Sequence, residues 1–99
     1  MNTDITTSCI AKMIDHSLLL PTMTDSDLIA GFEVALKWQT ASVCVKPYAV
    51  SIAKKFLLES TVKVCTVIGF PHGSHATDIK KIEALQAIAD GASELDMVV

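Results

Sequence analysis

The stretch from Lys63 to Val99 constrains the fold most, because it reads as a complete strand–helix–strand unit. Val64 to Ile68 is short, β-branched and nearly all apolar, the pattern of a strand buried on both faces. Gly69-Phe70-Pro71-His72-Gly73 interrupts it. Ser74 to Asp90 has helical character, and Gly91 is placed to end that helix in a left-handed C-cap. Glu94 to Val99 reads as a second apolar strand with Asp96 in its interior. Such units build parallel sheets with right-handed crossovers. An ionised carboxylate inside a buried strand costs several kcal/mol unless it is paired or hydrogen-bonded, so Asp96 calls for a reason.

The same unit recurs upstream. Thr7 or Ser8 is expected to cap a short helix reaching Met13, with Cys9, Ile10 and Met13 as its apolar side. Ile14 to Leu18 is read as the first strand, ended by Pro21 and Thr22. Thr24 or Asp25 caps the next helix, which carries Leu28, Ile29, Phe32, Ala35 and Leu36 at helical spacing through Trp38. Ala41 to Val45 is the second strand, and Pro47 suits the first turn of the helix behind it. Strand starts near residues 14, 41, 63 and 94 fit βαβ units of about 30 residues. Two folds accept β(αβ)3: half of a (β/α)8 barrel, and an open flavodoxin-like sheet. In both, the chemistry gathers at the C-terminal ends of the strands.

Composition narrows the function. The chain has 99 residues, is 51% hydrophobic and 19% charged, and carries a net charge of −3. That excludes disorder and favours one well-buried domain. Arginine is absent, which argues against a phosphate-backbone binder, so no nucleic-acid partner is expected. Cys9, Cys44 and Cys65 form an odd set without CxxC spacing, read as free thiols of a reducing compartment. The polar N-terminus is not a signal peptide, and no segment approaches the ~18 apolar residues of a membrane span. A cytoplasmic chain with no membrane partner is the expectation.

Several residues carry candidate chemistry. Asp96 is either a carboxylate held in a dry site to move protons or steer a lysine, or a strand-end acceptor for backbone N–H groups. Asp15 and His16 are adjacent on a strand, so only one of them faces a given side. Asp15 follows Ile14 as Asp96 follows Leu95. His16 is read as a packing histidine hydrogen-bonded to backbone. Cys44 is read as a core thiol, because no neighbouring histidine or helix N-terminus marks it as a nucleophile. Lys46, before Pro47 at a strand end, is expected to be solvated, with a phosphate or acid contact as the other option. His72, His75 and Asp78 recur every three residues, but His72 sits in a turn, so no metal site is assigned. The GFPHG turn is read as a loop whose backbone must approach something closely, with Ser74 and Thr77 offering hydroxyl caps. Lys80, Lys81 and Glu83 are expected on a solvated face. Met23, Trp38, Phe56 and Met97 are expected in the core.

Taken together, IDHSLLLPT (14–22), ASVCVKP (41–47), KVCTVIGFPHGSHATDIKKIEA (63–84) and DGASELDMVV (90–99) resemble the N-terminal part of the deoxyribose-phosphate aldolases. The succession covers nearly the whole chain from Ile14 onward. The resemblance implies the first half of a TIM barrel, with residues 1–13 as a tail and short helix and 14–99 as a partial aldolase domain. It implies a class I lyase that needs no metal or organic cofactor. The family reaction is the reversible cleavage of 2-deoxyribose 5-phosphate to glyceraldehyde 3-phosphate and acetaldehyde.

By the same resemblance Asp96 matches the acid on strand four that works with active-site lysines in proton transfer. Asp15 matches a substrate-side aspartate, and Cys44 a cysteine near the substrate in some members. The family's IDHTLLKPT has a lysine where this chain has Leu20. The family's Schiff-base lysine and its helper lie on strands six and seven. None of Lys46, Lys54, Lys55, Lys63, Lys80 and Lys81 matches either position. The chain alone is therefore expected to be inactive, and its unpaired strand edges point to a homo-oligomer; the alternative reading is a non-catalytic half-barrel that self-associates or binds a small phosphate.

Overall fold

The computed structural model describes residues 5–99. The residues before Ile5, most of the expected polar tail, lie outside the described residues. Four strands, β1 (Asp15–Leu18), β2 (Ser42–Val45), β3 (Lys63–Ile68) and β4 (Glu94–Met97), form one parallel sheet in the order β1-β2-β3-β4. That sequential order is the one a barrel requires. A flavodoxin-like sheet would place β2 outside β1 and helices on both faces.

The helices are α1 (Thr7–Ala11), α2 (Asp25–Trp38), α3 (Val50–Phe56, entered through a 3-10 turn at Pro47–Ala49) and α4 (Thr77–Asp90). Thr24 caps α2 through a complete capping box with Asp27. Gly91 ends α4 at φ 110°, and the Ala92 N–H reaches back to the Ala87 carbonyl at 3.0 Å. The N-cap of α1 is Thr6 rather than Thr7 or Ser8: its hydroxyl accepts the Cys9 N–H at 3.2 Å. Helix α4 starts three residues later than expected. Ala76 is its N-cap and makes no side-chain cap bond, so Ser74 and Thr77 do not serve as caps.

Strand register sorts side chains by face, because residues opposite each other in a parallel pair point the same way. One face carries Leu18, Val43, Val45 and Val64. These pack with Leu28, Phe32 and Ala35 of α2 and Ala49, Val50, Ala53 and Leu57 around α3 to form the main core. Gly31 lets α2 sit close to β1: a Cβ there would lie 2.5 Å from Leu18 Cδ2. The opposite, concave face holds a smaller buried cluster of Cys44, Cys65 and Val67, with Leu19 packed on it. As expected, β3 is buried from Val64 to Ile68, and β2 is buried throughout.

Burial departs from expectation at the edges. All four residues of β4 are exposed, so Asp96 is not a buried carboxylate, because β4 is the outermost strand with one partner only. Trp38 and Met97 are each 46% exposed, and Phe56 is 39% exposed although its ring meets Phe32 at 5.4 Å. Of the expected core set, Met23 packs partly buried against the main core and Phe56 touches it only through Phe32. On α1 the buried residue is Ala11, while Cys9, Ile10 and Met13 face outward.

Candidate active site on the concave face

The concave face is unusually polar for a sheet interior. Reading across the register, Asp15 lies opposite Ser42, Cys44 opposite Cys65, Cys65 opposite Glu94, and Val67 opposite Asp96. Asp15, Cys44 and Asp96, the three residues singled out from the sequence, therefore share one side. His16 falls on the other, where it is half-buried and lines an apolar cleft with Ile10, Ile14, Val34 and Trp38.

Asp15 is anchored. Its Oδ1 accepts the Ser42 hydroxyl at 2.6 Å, a short bond of the charge-assisted kind. Burial pushes the Cys44 thiol well above its ordinary pKa. The adjoining Cys65 and the charges of Asp15 and Asp96 add to the effect. Burial also raises Cys65, opposed by its hydrogen bond with Cys44 and reinforced by Asp15, Glu94 and Asp96. Both thiols are thus held protonated, which suits a packing role for Cys44 better than a nucleophilic one. The same influences place Asp96, though exposed, within electrostatic reach of the two cysteines.

At the C-terminal ends of the strands a cleft of about 280 Å³ is lined by Leu19, Pro21, Lys46, Phe70, His75 and Glu83. Lys46 is not free in solvent there. Its Nζ donates to the Leu20 carbonyl at 3.0 Å and lies 5.7 Å from the Tyr48 ring centroid. Glu83 is likewise not a solvated residue: its carboxylate accepts the Gly69 N–H at 2.8 Å. The GFPHG turn is a close-approach loop, as its glycines suggested. Gly69 and Gly73 have φ of 67° and 71°, and a Cβ on Gly73 would lie 2.5 Å from the Val99 carbonyl oxygen. A larger opening of about 470 Å³ at the N-terminal ends, lined by Lys12, Lys63 and Glu94 among others, involves none of the predicted site residues.

Among the described residues, the group whose ligand atoms converge is Asp15, Cys44 and Cys65, not His72, His75 and Asp78. Ser17, Ser42, Lys63, Cys65 and Glu94 share this face and were passed over as site residues by sequence reasoning. The signal was the i, i+2 spacing of Ser42 and Cys44, and of Glu94 and Asp96, which puts each pair on one side of its strand.

Residues 9–99 match the sequence profile of the DeoC/LacD family aldolases. The chain belongs to the DeoC/LacD aldolase family. A deoxyribose-phosphate aldolase of Rhodopirellula baltica is 53% identical over 90 residues, 91% of this chain and 37% of that protein. Deoxyribose-phosphate aldolase 1 of Bacillus licheniformis is 50% identical over 93 residues, 94% of this chain and 42% of that protein. A putative deoxyribose-phosphate aldolase from Coccidioides immitis superposes with a TM-score of 0.91 at 40% identity, covering 98% of this chain and 38% of that one. The tetrameric Aeropyrum pernix deoxyribose phosphate aldolase gives a TM-score of 0.87 at 29% identity, with 93% and 39% covered. This DeoC/LacD chain thus spans about two-fifths of the length of these relatives, and its fold is the first half of their (β/α)8 barrel. No described helix is long and apolar enough to cross a membrane.

Proposed function

We propose that this chain supplies the first four strands of a class I deoxyribose-phosphate aldolase site. The reaction is the reversible cleavage of 2-deoxyribose 5-phosphate to glyceraldehyde 3-phosphate and acetaldehyde. Asp96 takes part in proton transfer, and Asp15 and Cys44 lie on the substrate side. The observation that carries this reading is the common face of those three residues, opposite the helices and shared with no other predicted site residue.

A class I aldolase needs a deprotonated amine to form an imine with its carbonyl substrate. Lys46 is tied to a backbone carbonyl, Lys63 begins β3 at the opposite rim, Lys12 is the C-cap of α1, and Lys37, Lys54, Lys55, Lys80 and Lys81 lie on the outer helices α2, α3 and α4. None of these is placed to attack a carbonyl beside Asp96. The 99-residue chain by itself is therefore inactive, and borohydride with acetaldehyde traps no imine on it. A trapped adduct on any lysine overturns that statement.

The positive test is a graft. Residues 9–99 replace the matching segment of the Rhodopirellula baltica relative, and cleavage of 2-deoxyribose 5-phosphate is assayed. The graft is active, and Asp96→Asn lowers kcat by about a hundred-fold or more, the scale of a lost general acid–base group. An unchanged rate in that variant removes Asp96 from the chemistry.

The outer edges of β1 and β4 pair with no other strand among the described residues. Helix α4 also turns Ile79, Ile82, Leu85 and Ile88 outward. Both features support self-association, in which β4 of one copy meets β1 of another. A monomeric mass by light scattering at micromolar concentration, with a cooperative melt, excludes it.

A further inference from the structure

The aldolase reading leaves Cys65 without a task and gives no reason for a second thiol beside Cys44. Cys44 and Cys65 are direct neighbours across β2 and β3. One ligand atom from each, with one carboxylate oxygen of Asp15, lies within 4.8 Å of the other two. The geometry points to a three-ligand site for a thiophilic divalent cation such as Zn2+, formed by the sulfurs of Cys44 and Cys65 and the carboxylate of Asp15.

The dimensions suit this use. With Zn–S of about 2.3 Å and Zn–O of about 2.0 Å, tetrahedral ligands stand about 3.5–3.8 Å apart, so each pair of ligand atoms closes by about 1.3 Å at most. A disulfide would bring the two sulfurs to about 2.05 Å and leave Asp15 out. Ser42 supports the arrangement. Its hydroxyl occupies Asp15 Oδ1 at 2.6 Å, which orients the carboxylate and leaves its second oxygen for the ion. Access comes from the Asp15 side, since Asp15 is exposed while Cys44 and Cys65 are 3% and 6% exposed. Binding replaces water ligands of the hydrated ion with two metal–sulfur bonds and one metal–oxygen bond, and releases the displaced waters and the two thiol protons to solvent. Glu94 and Asp96, on the same face, favour an incoming cation electrostatically, against the single positive charge of Lys63 opposite Ser42. Three protein ligands leave a fourth position for water or an anion.

The ion would sit among residues of the proposed substrate side, so in an assembled aldolase it would inhibit. Metal binding itself does not depend on that reading, and the test uses no substrate. The reduced 99-residue chain with Cys9→Ser, which removes the exposed thiol, is titrated with Co2+ alone and its near-ultraviolet spectrum recorded. The expected result is a single ion per chain with a thiolate-to-cobalt charge-transfer band. Cys44→Ser and Cys65→Ser each weaken binding by at least about a hundred-fold and diminish the band. Ser42→Ala weakens it about ten-fold, the scale for loss of a supporting bond. Should the buried cysteine variants fail to fold, Asp15→Asn at its exposed position carries the test: the band persists and affinity falls about ten-fold or more. No thiolate band at millimolar Co2+, binding that survives both cysteine changes, or affinity unmoved by Asp15→Asn in a folded chain overturns the assignment. So does a chain that oxidises to a Cys44–Cys65 disulfide and, kept reduced, takes up no metal.

Discussion

Glu83 on α4 accepts the backbone N–H of Gly69 at 2.8 Å, so the helix after the GFPHG turn holds the first residue of that turn in place. Gly69 is buried, and its amide has little access to water as a substitute partner. Glu83→Ala should lower stability by about 1–3 kcal/mol in urea unfolding, the cost of stranding a buried donor. Glu83→Gln keeps an acceptor oxygen and should lose less than half as much. Equal losses in the two variants would mean that the carboxylate's charge, not the hydrogen bond, matters.

Gly31 should resist even alanine. Alanine in a helix interior is favoured over glycine by about 1 kcal/mol. Against that, the new methyl would meet the side chain of Leu18, which is 4% exposed and closely packed. Overpacking of this kind costs about 1–3 kcal/mol. The expected balance is a net loss of about 1 kcal/mol, and Leu18→Ala combined with Gly31→Ala should show clear non-additivity in a double-mutant cycle.

The capping box of α2 predicts a pH dependence. The Thr24 N–H donates to Asp27 Oδ2 at 2.9 Å and the Asp27 N–H to Thr24 Oγ1 at 3.2 Å. The backbone bond first, then the hydroxyl, hold the Asp27 carboxyl below its ordinary pKa. A carboxyl depressed in the folded state stabilises fully above its unfolded pKa and loses that contribution as pH falls through its folded pKa. The melting temperature of the parent chain should therefore fall more steeply than that of Asp27→Asn between about pH 5 and about pH 3. Thr24→Ala should cost about 1 kcal/mol at neutral pH.

Thiol chemistry should separate the three cysteines. Cys9 is exposed, and its hydrogen bonding with Thr6 lowers its pKa. Cys44 and Cys65 are buried and held protonated. Metal-free native protein should react with iodoacetamide at Cys9 alone within minutes, and denatured protein at all three positions. Peptide mass mapping that finds Cys44 modified as fast as Cys9 would contradict the burial described here.

Much of the fold was legible because strong local signals agreed. The nearly all-apolar run at Val64–Ile68, the Thr24 cap, and Gly91 each place an element boundary within a residue or two. Strand order was not legible in the periodicity, since β(αβ)3 is written alike for a barrel and for an open sheet; it was the resemblance to the aldolases that implied the barrel order seen here. Burial at β4 was misread for a related reason: Leu95 and Met97 look like core residues in a list, but their exposure depends on what lies beyond the edge strand. At the site, periodicity placed Asp15 and Asp96 in strands, yet the partnership of Cys44 with Cys65 needed the register. That pairing spans 21 residues of chain, and no local pattern announces it. Glu83 was invisible for the opposite reason, because an acid on a helix usually faces water.

Gly73 has no side chain, and the backbone of Val99 with the side chain of Val98 occupies the space one would fill. The rim after β3 and the exit from β4 are therefore one fitted joint, not two independent loops. A bulkier group at position 73 would therefore press first on Val98 and Val99, the two residues by which the chain leaves β4.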